Sequence, residues 1–581
     1  MIRRLITTPR RAWHGPVDTF SSHEKSFEKL TKSYVHCNSF KNIELSNLSI
    51  SQLVSKSADL KPDGDAMVFC GDTSTRLSWQ DMWETSVRLA NSLEKLGVEK
   101  GDRLAVWAPS VPEWVIAQFA CGQSGLILVT MNPVYTSDEA EYAFEKVDAK
   151  VVVSTKAYSE KLLAMKNYKP DIILQTGWNR VDVELEPPFT HLFQDLVKSG
   201  ETTHSFGEID ADSVGMIQFT SGTTGRPKAA SLTHRNLVNN AFGIGHRYGS
   251  ILPEHRFCMN VPLFHCFGSV IGTMVAAASA NTCVFPAEGY SPTAAIEAMR
   301  EEKCTFIYGT PTMYIDIFGL AKRQGLIDSF ETVKHGKMAG SICPPELNRQ
   351  AIEEFGINLM VAYGTTENSP VVTGTFPDDS FEKKVNTIGF PLHHIECKII
   401  DKNSHVVPIG KSGELCSRGY GVMKGYWGDE EKTKKVIDKN RWYHTGDLAT
   451  MDEDGYLKII GRLDDMFIRG GENVFPSEIE DVLLPHSKIE DAQVIGVEDY
   501  RLGNEIAVYI KLNDRSLVND EKVVEELVKE LKEYCSERLF KYKIPKYWKF
   551  VDSYPVTASG KIQKYKMREN STQDFNLSRT Q

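Results

Sequence analysis

From about Asp63 the chain alternates amphipathic helical stretches with short apolar runs. SWQDMWETSVRLANSLEKLG is followed by RLAVWAP, and WVIAQFACGQSG by LILVTMNP. Strands separated by a helix's length are joined by crossovers rather than hairpins, so they run parallel and the helices cover the sheet faces. The same alternation returns around KVVVST, IILQT, TFIYGTP and LMVAYGTTE. The larger part of the chain is therefore expected to be α/β, with parallel-rich sheets. After about Asn386 the pattern shortens to IECKIID, GELCSRG and WYHTGDLATMDEDGYLKIIGR, with glycine or Asp-Gly at the bends, which predicts a β-rich subdomain. From about Leu463 a last segment has its own strands, AQVIGVED and EIAVYIKL, and an amphipathic helix, EKVVEELVKELKEYCSERLF. In that helix Val523, Val524, Leu527, Val528, Leu531, Tyr534 and Cys535 share one face. The expected division is a transit peptide or disordered tail over 1–38, a large domain over 39–463, and a small mobile α+β domain over 464–581.

With 581 residues, 41% of them hydrophobic, the chain can fill several cores. Its net charge of -10 excludes a protein built to coat nucleic acid, where clustered positive charge supplies the affinity. The eleven cysteines are scattered singly with no CxxC pair, a pattern of buried small hydrophobes rather than of a disulfide framework or a zinc site. Between Arg256 and Glu288 the only titratable side chains are His265 and the thiols of Cys258, Cys266 and Cys283, and this length exceeds the roughly 20 residues of a membrane span. Pro262, Gly268, Asn260, Ser269, Thr273, Ser279, Asn281 and Thr282 argue against a transmembrane segment and for a buried strand, helix and strand. The first seventeen residues, MIRRLITTPRRAWHGPV, hold four arginines and no acid, the composition of a mitochondrial transit peptide.

The stretch Phe219 to Ala229, FTSGTTGRPKA, follows the apolar run VGMIQ. Hydroxyls of Thr220, Ser221, Thr223 and Thr224, and amides left open by Gly222 and Gly225, can surround phosphate oxygens, while Lys228 adds a point charge beyond Arg226 and Pro227. The spacing is not that of the GxxxxGK[ST] loop, since Lys228 lies three residues after Gly225 and is followed by alanine.

This loop is similar to the phosphate loop of the adenylate-forming superfamily, which includes acyl-CoA synthetases, luciferases and peptide-synthetase adenylation domains. Five further blocks follow in the family's order: PLFHCFG, AYGTTEN, YHTGD, GRLDDMFIRGGENVFPSEIE and PVTASGKI. The resemblance implies ATP, Mg²⁺ and coenzyme A as the small-molecule partners. It implies that Lys561, Thr366, Glu367 and His265 are catalytic, with Glu367 holding the metal and His265 beside the acyl carboxylate. Tyr363 would stack on adenine, Asp447 would bind the ribose hydroxyls, and Arg462 the ribose or phosphate. Asp464 would be the hinge, and residues 469–473 would face coenzyme A. Within the family, TFIYGTPTMY, VAYGTTENSPV and SGKIQK resemble mitochondrial acyl-CoA synthetases acting on medium-chain fatty acids, so a fatty acid is the expected acyl donor. A coumarate-type ligase, a luciferase-like oxygenase and a non-catalytic nucleotide sensor are the alternatives. Ala229 departs from the family, which usually has glycine there; if the position needs positive φ, alanine strains the loop.

A reporter protein fused behind residues 1–38 is expected to accumulate in mitochondria. Diffuse cytosolic fluorescence would remove the targeting assignment.

Overall fold

The computed structural model describes residues 29–37, 43–71, 74–180, 183–203, 206–220, 226–252, 254–341, 343–463, 465–518, 520–556 and 562–575. Two large sheets form the core of the α/β part. One has eight strands, of which Val214–Thr220, Ile127–Thr130, Arg103–Trp107, Ala149–Ser154, Ile172–Gln175 and His191–Leu192 run parallel. The other has nine, with a parallel centre from Asp65–Phe69 to Asn358–Gly364 and antiparallel strands at both edges. Strands covered on both faces read as unbroken apolar runs, and Arg103–Trp107, Ile127–Thr130 and Ala149–Ser154 are buried at nearly every position. Helix Pro112–Ser124 is buried along almost its whole length and stops at Gly125, whose φ of 73° ends it in the left-handed region.

Six strands and one helix position the site. In chain order they are β1 (Val214–Thr220), β2 (Lys228–Thr233), α1 (His234–Arg247), β3 (Asn358–Gly364), β4 (Gly413–Gly419), β5 (Tyr443–Met451) and β6 (Leu457–Arg462). β1 and β2 form an antiparallel hairpin at one side of the eight-stranded sheet, and α1 starts directly after it. Thr233 caps α1 by accepting from the Asn236 amide, while the Asn236 side chain returns the bond to the Thr233 amide. At its far end the buried guanidinium of Arg247 donates to the carbonyls of Gly374, Phe390 and Pro391, which ties the helix to the edge of the nine-stranded sheet.

The β-rich subdomain is a five-stranded antiparallel sheet containing β4, β5 and β6. Its outer strand, Tyr34–His36, pairs with Ile395–Ile400 and so lies within the stretch expected as leader or disordered tail. A removable leader would have to end before this strand, because its backbone groups complete the sheet edge.

The uncharged stretch after Arg256 folds as strand Arg256–Met259, π-helix Phe267–Met274, α-helix Val275–Ser279 and strand Thr282–Phe285, all inside the core. Among the described residues no helix is long and apolar enough to cross a membrane. The π-helix was not foreseeable from periodicity. Gly268 permits its close entry, since a Cβ there would lie 2.3 Å from the carbonyl oxygen of Pro262.

The last part of the chain pairs Ile489–Asp499, Gly503–Leu512 and Tyr547–Phe550 in one small sheet, packed with helices Pro476–Leu483 and Glu521–Ser536. Leu527, Leu531 and Cys535 are the buried centre of the expected helix face.

Candidate active site

The C-terminal end of β3 carries three residues of the sequence-derived set within five positions, and each reaches a different block. Tyr363 donates its hydroxyl to Asp447 Oδ2 at 2.5 Å. Thr366 Oγ1 lies 3.7 Å from Cys266 Sγ, beside His265. Glu367 Oε1 accepts from the Tyr426 hydroxyl at 2.8 Å. A short 3₁₀ turn, Thr366–Asn368, brings these side chains round, and Gly364 makes that turn possible. A Cβ on Gly364 would lie 1.8 Å from the carbonyl oxygen of Pro370, where no side chain fits.

The phosphate-loop hairpin sits on the same side. Thr220 on β1 and Lys228 on β2 face each other at its mouth. Lys228 Nζ lies 5.4 Å from the centre of the Tyr426 ring, so Tyr426 links the lysine to Glu367. Arg226 places its guanidinium 4.7 Å from the Tyr142 ring. The hydroxyl of Thr220 is buried and has no hydrogen-bond partner among the described residues, which suits a group meant for a ligand oxygen. Ser221, Gly222, Thr223, Thr224 and Gly225 lie outside the described residues. Tyr426 was missed as a site residue; it lies in the stretch Gly425-Tyr426-Trp427-Gly428, outside the six blocks that carry the resemblance. Burial, then the adjacent Glu367, pushes its phenol far above the usual range, so it remains a proton donor.

The second cluster surrounds Asp447. β5 carries two more residues than β4 between the paired positions Cys416↔His444 and Glu414↔Leu448, so the strand bulges over Thr445–Asp447, with Gly446 at φ 70°. The bulge turns Asp447 toward β3. Its backbone amide donates to Thr445 Oγ1 at 3.0 Å, and Arg462, directly opposite on β6, sets its Nε 3.2 Å from Asp447 Oδ1. Tyr363 was expected against adenine; here its hydroxyl is bound to Asp447, and burial followed by the Asp447 charge holds it protonated.

His265 Nδ1 accepts the backbone N–H of Phe267 at 3.2 Å, which assigns the neutral ring's proton to Nε2. Burial pushes the neighbouring Cys266 thiol up to about 12, so it stays a thiol. The turn Pro262–Phe264 before His265 also lines a cleft of about 190 Å³ with Pro133, Val134 and Tyr290.

Asp464 and Lys561 lie outside the described residues. Val556 and Ile562, the nearest described residues on either side of Lys561, form an antiparallel bridge. Arg469, expected to face coenzyme A, is ion-paired with buried Glu505 and donates to the carbonyl of Tyr542 at 3.0 Å. The junction after β6 is tied by Ser477 Oγ donating to the Ile460 carbonyl and by an ion pair between Arg568 and Asp465.

Fold and site together define an adenylate-forming enzyme. Residues 54–427 match the pattern of AMP-binding enzymes and residues 478–561 that of the AMP-binding enzyme C-terminal domain, so the chain belongs to the AMP-binding enzyme family. It is similar to the medium-chain acyl-CoA ligase ACSF2, mitochondrial, of Danio rerio, 41% identical with 95% of this chain and 93% of that one covered. It is also similar to the putative acyl-CoA synthetase YngI of Bacillus subtilis (strain 168), 38% identical with 93% of this chain and all of that one covered. The anthranilate CoA ligase AuaEII, solved with anthranoyl-AMP, shares the fold with a TM-score of 0.82 at 23% identity, covering 92% of this chain and 99% of that one.

The concern over Ala229 is overturned. The residue lies inside β2, paired with Phe219, its carbonyl accepts from the Trp427 amide at 2.8 Å, and it is absent from the positive-φ positions. Its methyl group is 1% exposed and packs in the core with Ile217 and Val129. Alanine fits an extended strand without strain, so Ala229→Gly is expected to lower stability by about 1 kcal/mol through lost packing and added chain entropy. Thermal unfolding checks this, and a variant as stable as the wild type or more so would reinstate the strain argument.

Proposed function

We propose that the chain is an acid–CoA ligase that converts a medium-chain fatty acid, ATP and coenzyme A to acyl-CoA, AMP and pyrophosphate in the mitochondrion. The observation that carries this reading is the end of β3, where Tyr363, Thr366 and Glu367 tie together the Asp447, His265 and Lys228 blocks. Similarity to mitochondrial ACSF2 ligases over nearly the whole chain supports the acyl donor and the compartment.

In the first half-reaction a carboxylate oxygen attacks the α-phosphorus of ATP and pyrophosphate leaves. Two anions must meet, so the site has to offset negative charge where it develops. Lys228 and the hairpin amides and hydroxyls face the phosphates, while Asp447 and Arg462 hold the ribose. The Nε2–H of His265 donates to the acyl carboxylate. Lys561 supplies the second cation. Mg²⁺, a hard ion that takes oxygen ligands, would be held by Glu367 and would neutralise phosphate charge. In the second half-reaction the coenzyme A thiolate attacks the acyl carbon and AMP leaves. The cleft beside Pro262–Phe264 offers the thiol a route to the His265 turn. One arrangement cannot place both Lys561 and a thiol at the acyl group, so the domain after Asp464 is proposed to rotate between the two steps.

Coenzyme A-dependent AMP release measured across an acid panel should be greatest for fatty acids of intermediate length. Equal or better turnover of a hydroxycinnamic acid would overturn the substrate assignment. Lys561→Ala should reduce acyl-adenylate formation by about 100-fold or more while still converting supplied acyl-adenylate to thioester. Asp464→Pro, which fixes φ at the hinge, should do the reverse. Equal loss of both half-reactions in each variant would refute the two-state scheme.

A further inference from the structure

On the antiparallel sheet that carries Asp447, three further side chains of different chemistry meet. Glu414 and Cys416 are alternate residues of β4 and point to one face, and His444 on β5 is the register partner of Cys416. His444 Nδ1 lies 3.0 Å from Glu414 Oε2 and 3.6 Å from Cys416 Sγ, and all three donor atoms fall within 4.8 Å of one another. Among the described residues this is the one group of three or more such donors.

These separations have a specific meaning. A tetrahedral zinc ion with its usual bond lengths to nitrogen, oxygen and sulfur sets its ligands about 3.3 Å apart for a nitrogen–oxygen edge and about 3.6 Å for a nitrogen–sulfur edge. The nitrogen–sulfur edge of 3.6 Å agrees with this geometry, and the nitrogen–oxygen edge of 3.0 Å needs only a small side-chain adjustment. The donors also stand on paired strands rather than on loops, which holds their geometry. Cys416 is buried, while the side chains of Glu414 and His444 are 21% and 26% exposed, so the face opens to solvent on one side.

We propose that Glu414, Cys416 and His444 form a binding site for a thiophilic divalent cation of the zinc class, with solvent as the fourth ligand. Binding deprotonates the Cys416 thiol and releases that proton to water. The imidazole binds neutral through Nδ1, and the thiolate and carboxylate together balance the two positive charges. Thiolate ligation excludes Mg²⁺ and Ca²⁺, so the site is chemically separate from Glu367. The other oxygen of Glu414, Oε1, accepts from the Gly446 amide at 3.3 Å. The cation would therefore clip β4 to β5 at the root of the bulge that carries Asp447. Linear spacing conceals the set, because Cys416 and His444 become neighbours only when the strands pair.

The test is a Co²⁺ titration of the full-length chain after metal removal. One equivalent should bind with a thiolate-to-cobalt charge-transfer band and the intense visible absorption of a tetrahedral ion. Cys416→Ser should abolish the charge-transfer band, and Glu414→Gln and His444→Asn should each weaken binding at least about tenfold. Absence of the band in the wild type, or its persistence in Cys416→Ser, would overturn the proposal, the latter by assigning it to another of the eleven cysteines. Should the serine variant not fold, X-ray absorption of the zinc-loaded wild type decides. One sulfur and lighter ligands support the site, and a shell with no sulfur or with several refutes it.

Discussion

The close approach of Gly364 to Pro370 is the constraint on which the site depends. It lets the chain leave β3 and turn back within a few residues, so that Tyr363, Thr366 and Glu367 diverge from one point toward three separate parts of the molecule. A strand end in a parallel sheet is a place where backbone direction changes while the strand behind it stays fixed. The β3 end uses that freedom to gather the Asp447 cluster, the His265 turn and Lys228. None of these three contacts lies within one element. Together they report on the packing of two sheets and a subdomain against one another.

Charge in the site is arranged in two ways. Around Asp447 the carboxylate is already engaged by a phenol and a guanidinium, both strong donors, which fix its orientation. Around Lys228 the cation has an aromatic face rather than a carboxylate against it, and Glu367 is reached only through the Tyr426 hydroxyl. Tyr426 therefore stands between the two charged groups.

Much of this was legible in the sequence because it is local. Helices and parallel strands follow from apolar spacing, and the antiparallel subdomain from short strands with glycine bends. The π-helix after His265 was not legible, since its wider turn depends on the approach of Gly268 to Pro262 and not on periodicity. Nor was the role of Ala229, where the family's usual glycine suggested a turn and the structure has a paired strand position.

The amino-acid sequence by itself determined the α/β class, the order of its blocks and the chemical types available to the site, because propensity, periodicity and motif act over a few neighbouring residues. Only the tertiary structure decided which of those groups meet. Tyr363 reaches Asp447 because two separate sheets pack together, whereas Tyr426 comes beside the strand of Lys228 and Cys416 meets His444 because strands far apart in sequence pair in register. Side chains alternate between the two faces of a strand, so a slip of one residue between β4 and β5 would turn Cys416 and His444 to opposite faces, and that register is set by the packing of the whole sheet.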